Sequence, residues 1–510
     1  MSRFSGRENT DGTRDDFVRE TAGGWPGRAQ ADRDQGAHAL VLIHTETKSP
    51  IADTKACRPC AKATESRDPA LTRMLSLIRD HWRLNRTAVS PDTDRLVESI
   101  RRRLDCPVHE FVPGQEVLTW IVPQHWRVRE AWLARVNGER VVDFAESPLH
   151  LWTHSVSFQG VLSREALEPH LHHDPTRPER VPYHFVNGYR YEKTPTEWGF
   201  CLSHNQYRNL TEDRYRVFID ADLDDRGTMK VIDHHLPGRD AYTVFFAAHT
   251  CHPGMVTDGL SNVAVLVELF DRLARRPNRR CSYRLILGPE YFGAAAFLAN
   301  APPEVLDNLS AGVYVDLVGN GQPFGLAPSV RGDTFIDRVL ANVLEHRCAE
   351  PGETPIGPLA TNDEIFYDGP GFEIPTAAFG GLIDSAHHTD ADHLDQLDQT
   401  QLRDGLDFLT QVVDILETDH VPARNFRGPL YLSRYGLFTS VDVDPREYEW
   451  HKGIQVLMDG RRSCFDIAHQ LNADFMFVRS FCEALETRGL VRRTEATPVW
   501  RTPEGHGGGT

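Results

Sequence analysis

A chain of 510 residues that is 40% hydrophobic, 25% charged and 9% aromatic has the composition of a globular protein and, at about 100–200 residues per domain, room for several domains. Its 56 basic and 73 acidic side chains leave a formal charge of −17 at pH 7, which disfavours general attraction to nucleic acid or to an anionic membrane. Fibrous and wholly disordered readings are excluded, and the longest apolar runs, 242–249 and 261–270, fall short of the ~20 residues that cross a bilayer.

The chain starts MSRFSGRENTDGTRDD, polar and mixed in charge, where a secretory signal would place a basic start and then an apolar run. Nine scattered cysteines read as reduced thiols, so a cytoplasmic location without disulfides is expected. Residues 1–70 hold 11 basic and 11 acidic side chains and few large apolar ones, and are predicted to be a disordered tail. Cys57 and Cys60 form a CxxC within it, but no second pair follows, which favours ordinary thiols over half of a zinc knuckle or a redox pair.

From 71 to about 105 the pattern is that of two amphipathic helices. Residues 107–190 change to short alternating apolar runs with Asn137-Gly138 and several prolines, the signature of a small β-rich unit. Strands are expected at 242–248, 283–288, 312–319 and 375–381, and helices at 260–274, 292–300, 334–347 and 402–417. The fold class is therefore α/β, a mainly parallel sheet sandwiched by helices, formed by 71–106 and 191–425 and interrupted by an inserted β domain over 107–190. Residues 440–502 read as three helices and a short strand pair, a winged-helix pattern. It is close to neutral and its third helix offers Arg479 and little else, so a structural or dimerising role is expected in place of nucleic-acid binding. A homo-oligomer would form through this unit or through the β insert.

In a parallel sheet the site sits at the carboxyl ends of the strands. There the sequence places His249 and His252 with Asp258, then Glu290, then Asp316, then His387 and His388. A divalent metal needs several such ligands from different strands, an open position, and a nearby carboxylate to take a proton from water. Taken singly, Asp258 could cap the following helix, Glu290 could be a first-turn residue favoured by the helix dipole, and the histidine pair could be a solvated loop. No GxSxG elbow, phosphate-binding P-loop, Rossmann fingerprint or HExxH is present.

These motifs, with LTWIVPQHWRVREAW (118–132), WGFCLSHNQYRNL (198–210), HTCHPGMVTDGLSNVAV (249–265), the Pro289-Glu290-x-x-Gly293 run and HHTDADHLD (387–395), resemble a bacterial aminopeptidase-like family. That family is related to the co-catalytic zinc aminopeptidases, is often described in terms of polysaccharide biosynthesis or unknown function, and has an inserted β domain and a C-terminal winged helix. The resemblance covers roughly 75–500. It implies His252, Asp258 and His388 as metal ligands, with His249 and Asp316 as further candidates, and Glu290 as general base. Tyr291 stands where the two-metal enzymes keep a second glutamate, and Cys251 where they keep an aspartate, which implies one zinc ion in place of two. The implied function is metal-dependent hydrolysis of an amide bond in a small peptide or aminoacyl conjugate. The acidic middle of the chain favours a substrate with a free amine, for which Asp363 and Glu364 are candidate partners, though they read equally well as a helix start. The alternatives are a ligand-binding or scaffold protein that keeps the hydrolase fold and a winged-helix regulator.

Overall fold

This computed structural model describes residues 68–185, 196–348 and 362–495. The 1–67 part of the expected tail, the Cys57/Cys60 pair and the second strand expected after 495 lie outside them.

Two capped helices open the described chain. Asp68 accepts the Ala70 N–H at the start of Pro69–His81, and Ser90 accepts the Thr93 N–H at the start of Pro91–Leu104; a proline in each first turn costs no hydrogen bond there. The central sheet has seven strands, in the order Val108–Phe111, Met229–Leu236, Ser282–Gly288, Thr243–His249, Leu309–Asp316, Thr376–Gly381 and Phe324–Ala327. The middle four run parallel and are the four apolar runs read from the sequence, while the strands flanking them pair antiparallel.

Continuous apolar strands follow from burial on both faces. Along Thr243–His249, Val244, Phe246 and Ala248 enter one core, with helices Pro69–His81, Leu260–Arg275, Phe335–Arg347 and Gln399–Thr418; Phe245 and Ala247 enter the other, with Phe292–Asn300. The alternation is the two-residue period of a strand.

The β-rich segment is organised differently from the expected 107–190 unit. A four-stranded antiparallel sheet, in the order Arg140–Asp143, His125–Arg135, Arg214–Asp224 and Phe158–Ser163, draws one strand from beyond residue 190, and Val108–Phe111 joins the central sheet. The partner strand lies some 80 residues along the chain from His125–Arg135, and register between such strands is set by tertiary pairing and a shared core, which local patterning does not carry.

At the C-terminal end, helices Pro445–Leu457, Cys464–Leu471 and Phe475–Thr487 pack Ile454, Phe465, Phe475 and Phe481 into the first core. Strand Val491–Glu495 pairs antiparallel with His420–Arg424, directly after helix Gln399–Thr418, so its described partner comes from ahead of the expected winged-helix unit. No helix among the described residues is long and apolar enough to cross a membrane.

A buried carboxyl links helix Cys464–Leu471 to the end of helix Gln399–Thr418. Asp419 Oδ1 accepts the Phe465 N–H at 2.9 Å, and burial pushes its pKa up to about 7. The folded state therefore holds a proton that the unfolded chain releases near pH 4, so this group's stabilisation is complete below that value and is lost as pH rises through about 7. Asp419→Asn keeps the acceptor and removes the titration. Urea midpoints of both proteins at pH 5 and pH 8 should show the wild type losing on the order of 3 kcal/mol more than the variant; equal pH dependence would contradict the assignment.

Candidate active site at the carboxyl ends of the parallel strands

Each of the four parallel strands ends in a residue or loop that turns back over the sheet. His249 closes its strand, and the loop after it carries His252 and Asp258 into helix Leu260–Arg275. Glu290 follows Ser282–Gly288, Asp316 ends Leu309–Asp316, and His387 and His388 follow Thr376–Gly381. All but His249 line one cavity of about 260 Å³, whose wall also holds Tyr183, Cys251 and Tyr291.

The backbone is strained where it delivers these groups. His252, Tyr291, Leu317 and His388 all adopt left-handed φ values, from 53° to 78°, and all four line the cavity. A non-glycine residue in that region costs about 1–3 kcal/mol, and such residues persist where the surrounding structure fixes them, as at functional sites. Gly259, at φ 103°, has no alternative: a Cβ there would stand 2.7 Å from the His249 ring.

Asp258 is the hub of the cluster. Its Oδ1 lies 3.2 Å from His249 Nε2 and 3.3 Å from His252 Nδ1, and its Oδ2 lies 3.1 Å from His388 Nε2 and 3.8 Å from His387 Nδ1. It does not cap the helix that follows; the N-cap is Gly259, which makes no side-chain cap bond. Asp392 fixes the loop instead, accepting the backbone N–H groups of Thr257 and Asp258 and the Thr257 hydroxyl at 2.8–3.0 Å. Glu290 precedes the N-cap of its helix, Tyr291, and points Oε2 to within 3.7 Å of His252 Nε2. Its backbone N–H donates to Cys251 Sγ at 3.3 Å.

Asp316 Oδ1 lies 3.5 Å from His249 Nε2, but each of its oxygens also accepts an amide: Oδ1 from Asn262 at 2.9 Å and Oδ2 from Asn362 at 3.2 Å. Tyr291, in contrast, packs its ring against Trp120 and Phe366.

The electrostatics favour positive charge at the hub. Although burial opposes it, the imidazoles of His252, His249 and His388 hold Asp258 well below the usual carboxylate range. Burial alone would lower His249, yet Asp316 and Asp258 hold it well above the ordinary imidazole value, while burial drives His252 well below it. Burial raises Glu290 to about 7, near the value that suits a proton carrier at neutral pH.

His252, Asp258 and His388 each offer a ligand atom within 4.8 Å of the others, as do His249, Asp258 and Asp316, and His249, Cys251 and His252. His387 Nδ1 is buried and makes no hydrogen bond, its nearest carboxylate oxygen, Asp258 Oδ2, lying 3.8 Å away, which is costly unless something else satisfies it. Imidazole and carboxylate donors in this number fit zinc or a similar divalent ion.

Sequence reading placed every candidate ligand within this cluster. It gave no role to Tyr183, whose N–H donates to the His388 carbonyl at 2.8 Å and whose ring meets His252 and His388 edge-on, or to Asp392, Asn262 and Asn362. Of the two readings of Asp363 and Glu364 the structure has the helix start: Asp363 is the N-cap of Glu364–Tyr367, and neither residue lines the cavity. Both carboxyls are buried and pushed up, to about 7 and about 8, and Asp363 accepts the Tyr291 N–H at 2.5 Å.

A family profile described as a domain of unknown function, DUF4910, matches residues 75–419. A candidate polysaccharide biosynthesis protein with an aminopeptidase-like domain, from Clostridium acetobutylicum, is 26% identical over 422 residues, covering 80% of this chain and 94% of the relative. The crystal structure of a candidate peptidase from the same organism superposes with a TM-score of 0.74 at 25% identity, covering 83% of this chain and 96% of that one. A zinc aminopeptidase from Bacillus subtilis matches at 12% identity and a TM-score of 0.48, over 67% of this chain and 94% of its own.

Proposed function

The chain belongs to the DUF4910 family, and from that premise and the geometry of its strand ends we propose that it is a metal-dependent hydrolase of an amide bond, acting on a small peptide or aminoacyl conjugate. The observation that carries the reading is the convergence of His252, Asp258 and His388 within 4.8 Å, beside the Glu290 carboxylate in one cavity. A divalent ion held by those three residues would act as a Lewis acid on the scissile carbonyl and lower the pKa of the attacking water.

The protein's own groups do the rest. Glu290 Oε2 takes the proton of the attacking water and delivers it to the leaving amine nitrogen, so one carboxyl serves as base and then as acid. Asp392 holds the Thr257–Asp258 backbone, and Cys251 holds the Glu290 N–H, so that Asp258 and Glu290 stay aimed at the same point. Tyr183, on the cavity wall, packs its ring edge-on against His252 and His388. One ion is proposed, at His252, Asp258 and His388, because Asp316 already accepts two amides and Tyr291 brings no carboxylate. The peptidase and biosynthesis names of the Clostridium relatives are consistent with this class of reaction.

The second reading, a binding protein that keeps the fold without the chemistry, draws on Tyr291 and Cys251 in place of carboxylates. The two are separated by incubating the protein with dipeptides, aminoacyl amides and N-acyl amides, with zinc added or with a chelator. Metal-dependent release of amine supports the hydrolase; ligand binding without turnover in the zinc-loaded protein would favour the second reading.

A further inference from the structure

Arg86 lies in the loop between the first two helices, is completely buried, and lines the same cavity as His252, Glu290 and His388. Its Nη2 donates to the carbonyls of His252 at 2.8 Å and Met255 at 2.5 Å. Its Nε and Nη1 have no hydrogen-bond partner, and no carboxylate among the described residues forms an ion pair with it. The side chain keeps its charge at neutral pH. Beside it on the cavity wall, Thr87 buries a hydroxyl oxygen that also lacks a partner.

Bracing the His252 loop uses one nitrogen of three. A buried guanidinium with its other donors unmet is costly, and arginines are kept in such places where an oxyanion completes them. The neighbouring carboxylates are committed elsewhere: Asp258 faces the imidazoles, Asp392 holds the Thr257–Asp258 backbone, and Asp92 accepts the Asn85 N–H.

We propose that Arg86 and Thr87 form an oxyanion subsite, so that the substrate is an acidic amide carrying a carboxylate or a phosphate near the bond that is cut. The description as substrate rests on the hydrolase reading; the binding of the anion does not.

The test uses the full chain stripped of metal by chelator, so that an anion cannot report by coordinating an ion. Binding of succinate, its neutral diamide succinamide, and inorganic phosphate is followed by calorimetry. Succinate or phosphate is expected to bind at least tenfold more tightly than succinamide; the tighter of the two names the carboxylate or the phosphate as the group recognised. Thr87→Val should weaken that anion severalfold, and Arg86→Gln should abolish its preference over succinamide. Arg86→Gln also loses the loop brace and could fail to fold, but the wild-type comparison stands without it. Equal binding of succinate and succinamide with no binding of phosphate, or no binding of any of the three, would overturn the subsite. Anion binding by a protein that hydrolyses nothing would overturn the hydrolase reading and leave the subsite standing. Rapid hydrolysis of neutral amides without anion binding would do the reverse.

Discussion

Glu290→Gln is expected to lower kcat by about 10²–10⁴-fold, the usual contribution of a positioned general base, with the bound metal and KM little changed. Glutamine fills the same space and still accepts hydrogen bonds, but it cannot take a proton from water. The residue is held by its backbone, through the Glu290 N–H to Cys251 and the left-handed Tyr291 that follows, and both features survive the substitution. The three proposed ligands lie on other loops, so metal content should match the wild type. Kinetics on whichever amide the wild type hydrolyses, together with metal content, distinguish the outcomes. Undiminished kcat would remove Glu290 from the mechanism, and loss of metal would make it a ligand.

The second large effect concerns stability. Glu268 sits in the middle of the apolar helix Leu260–Arg275 with its side chain wholly buried. One oxygen meets Arg73 Nη2 at 2.6 Å, the other meets Arg73 Nε at 3.0 Å and Arg103, and Arg272 lies 3.6 Å away. This carboxylate ties the two N-terminal helices to the helix that begins at the candidate site. Removing one partner of a buried ion pair costs about 3–5 kcal/mol because the other charges stay behind unpaired. Arg73 is 42% exposed and can turn to water, so Glu268→Gln should cost about 2–4 kcal/mol, read from urea unfolding. A change below about 0.5 kcal/mol would mean that water already compensates the three arginines.

The parallel core was legible because strands buried on both faces leave continuous apolar runs such as YTVFFAA, each followed by an amphipathic or small-residue helix. The candidate site was legible for the same topological reason: a strand that ends at the carboxyl edge of the sheet hands its next polar residues to the crevice. What the sequence did not carry is whatever depends on distant pairing. Asp392 reaches Thr257 across 135 residues and Arg86 reaches His252 across 166, with no periodicity to announce either contact. Tyr183 joins the cavity from the β-rich segment, whose sheet takes a strand from 214–224. Asp363 and Glu364 admitted two readings, an amine partner or a helix start, and the structure makes Asp363 the N-cap of the short helix Glu364–Tyr367, with both carboxyls buried, raised and outside the lining of the cavity.

His252, Asp258 and His388 are proposed to hold a metal ion. Elemental analysis of protein purified without chelator or affinity nickel, for the wild type and His388→Ala side by side, tests it directly. A stoichiometric divalent ion is expected in the wild type, largely lost from a variant that remains folded. No ion in the wild type, even after incubation with zinc and removal of the excess, would contradict it.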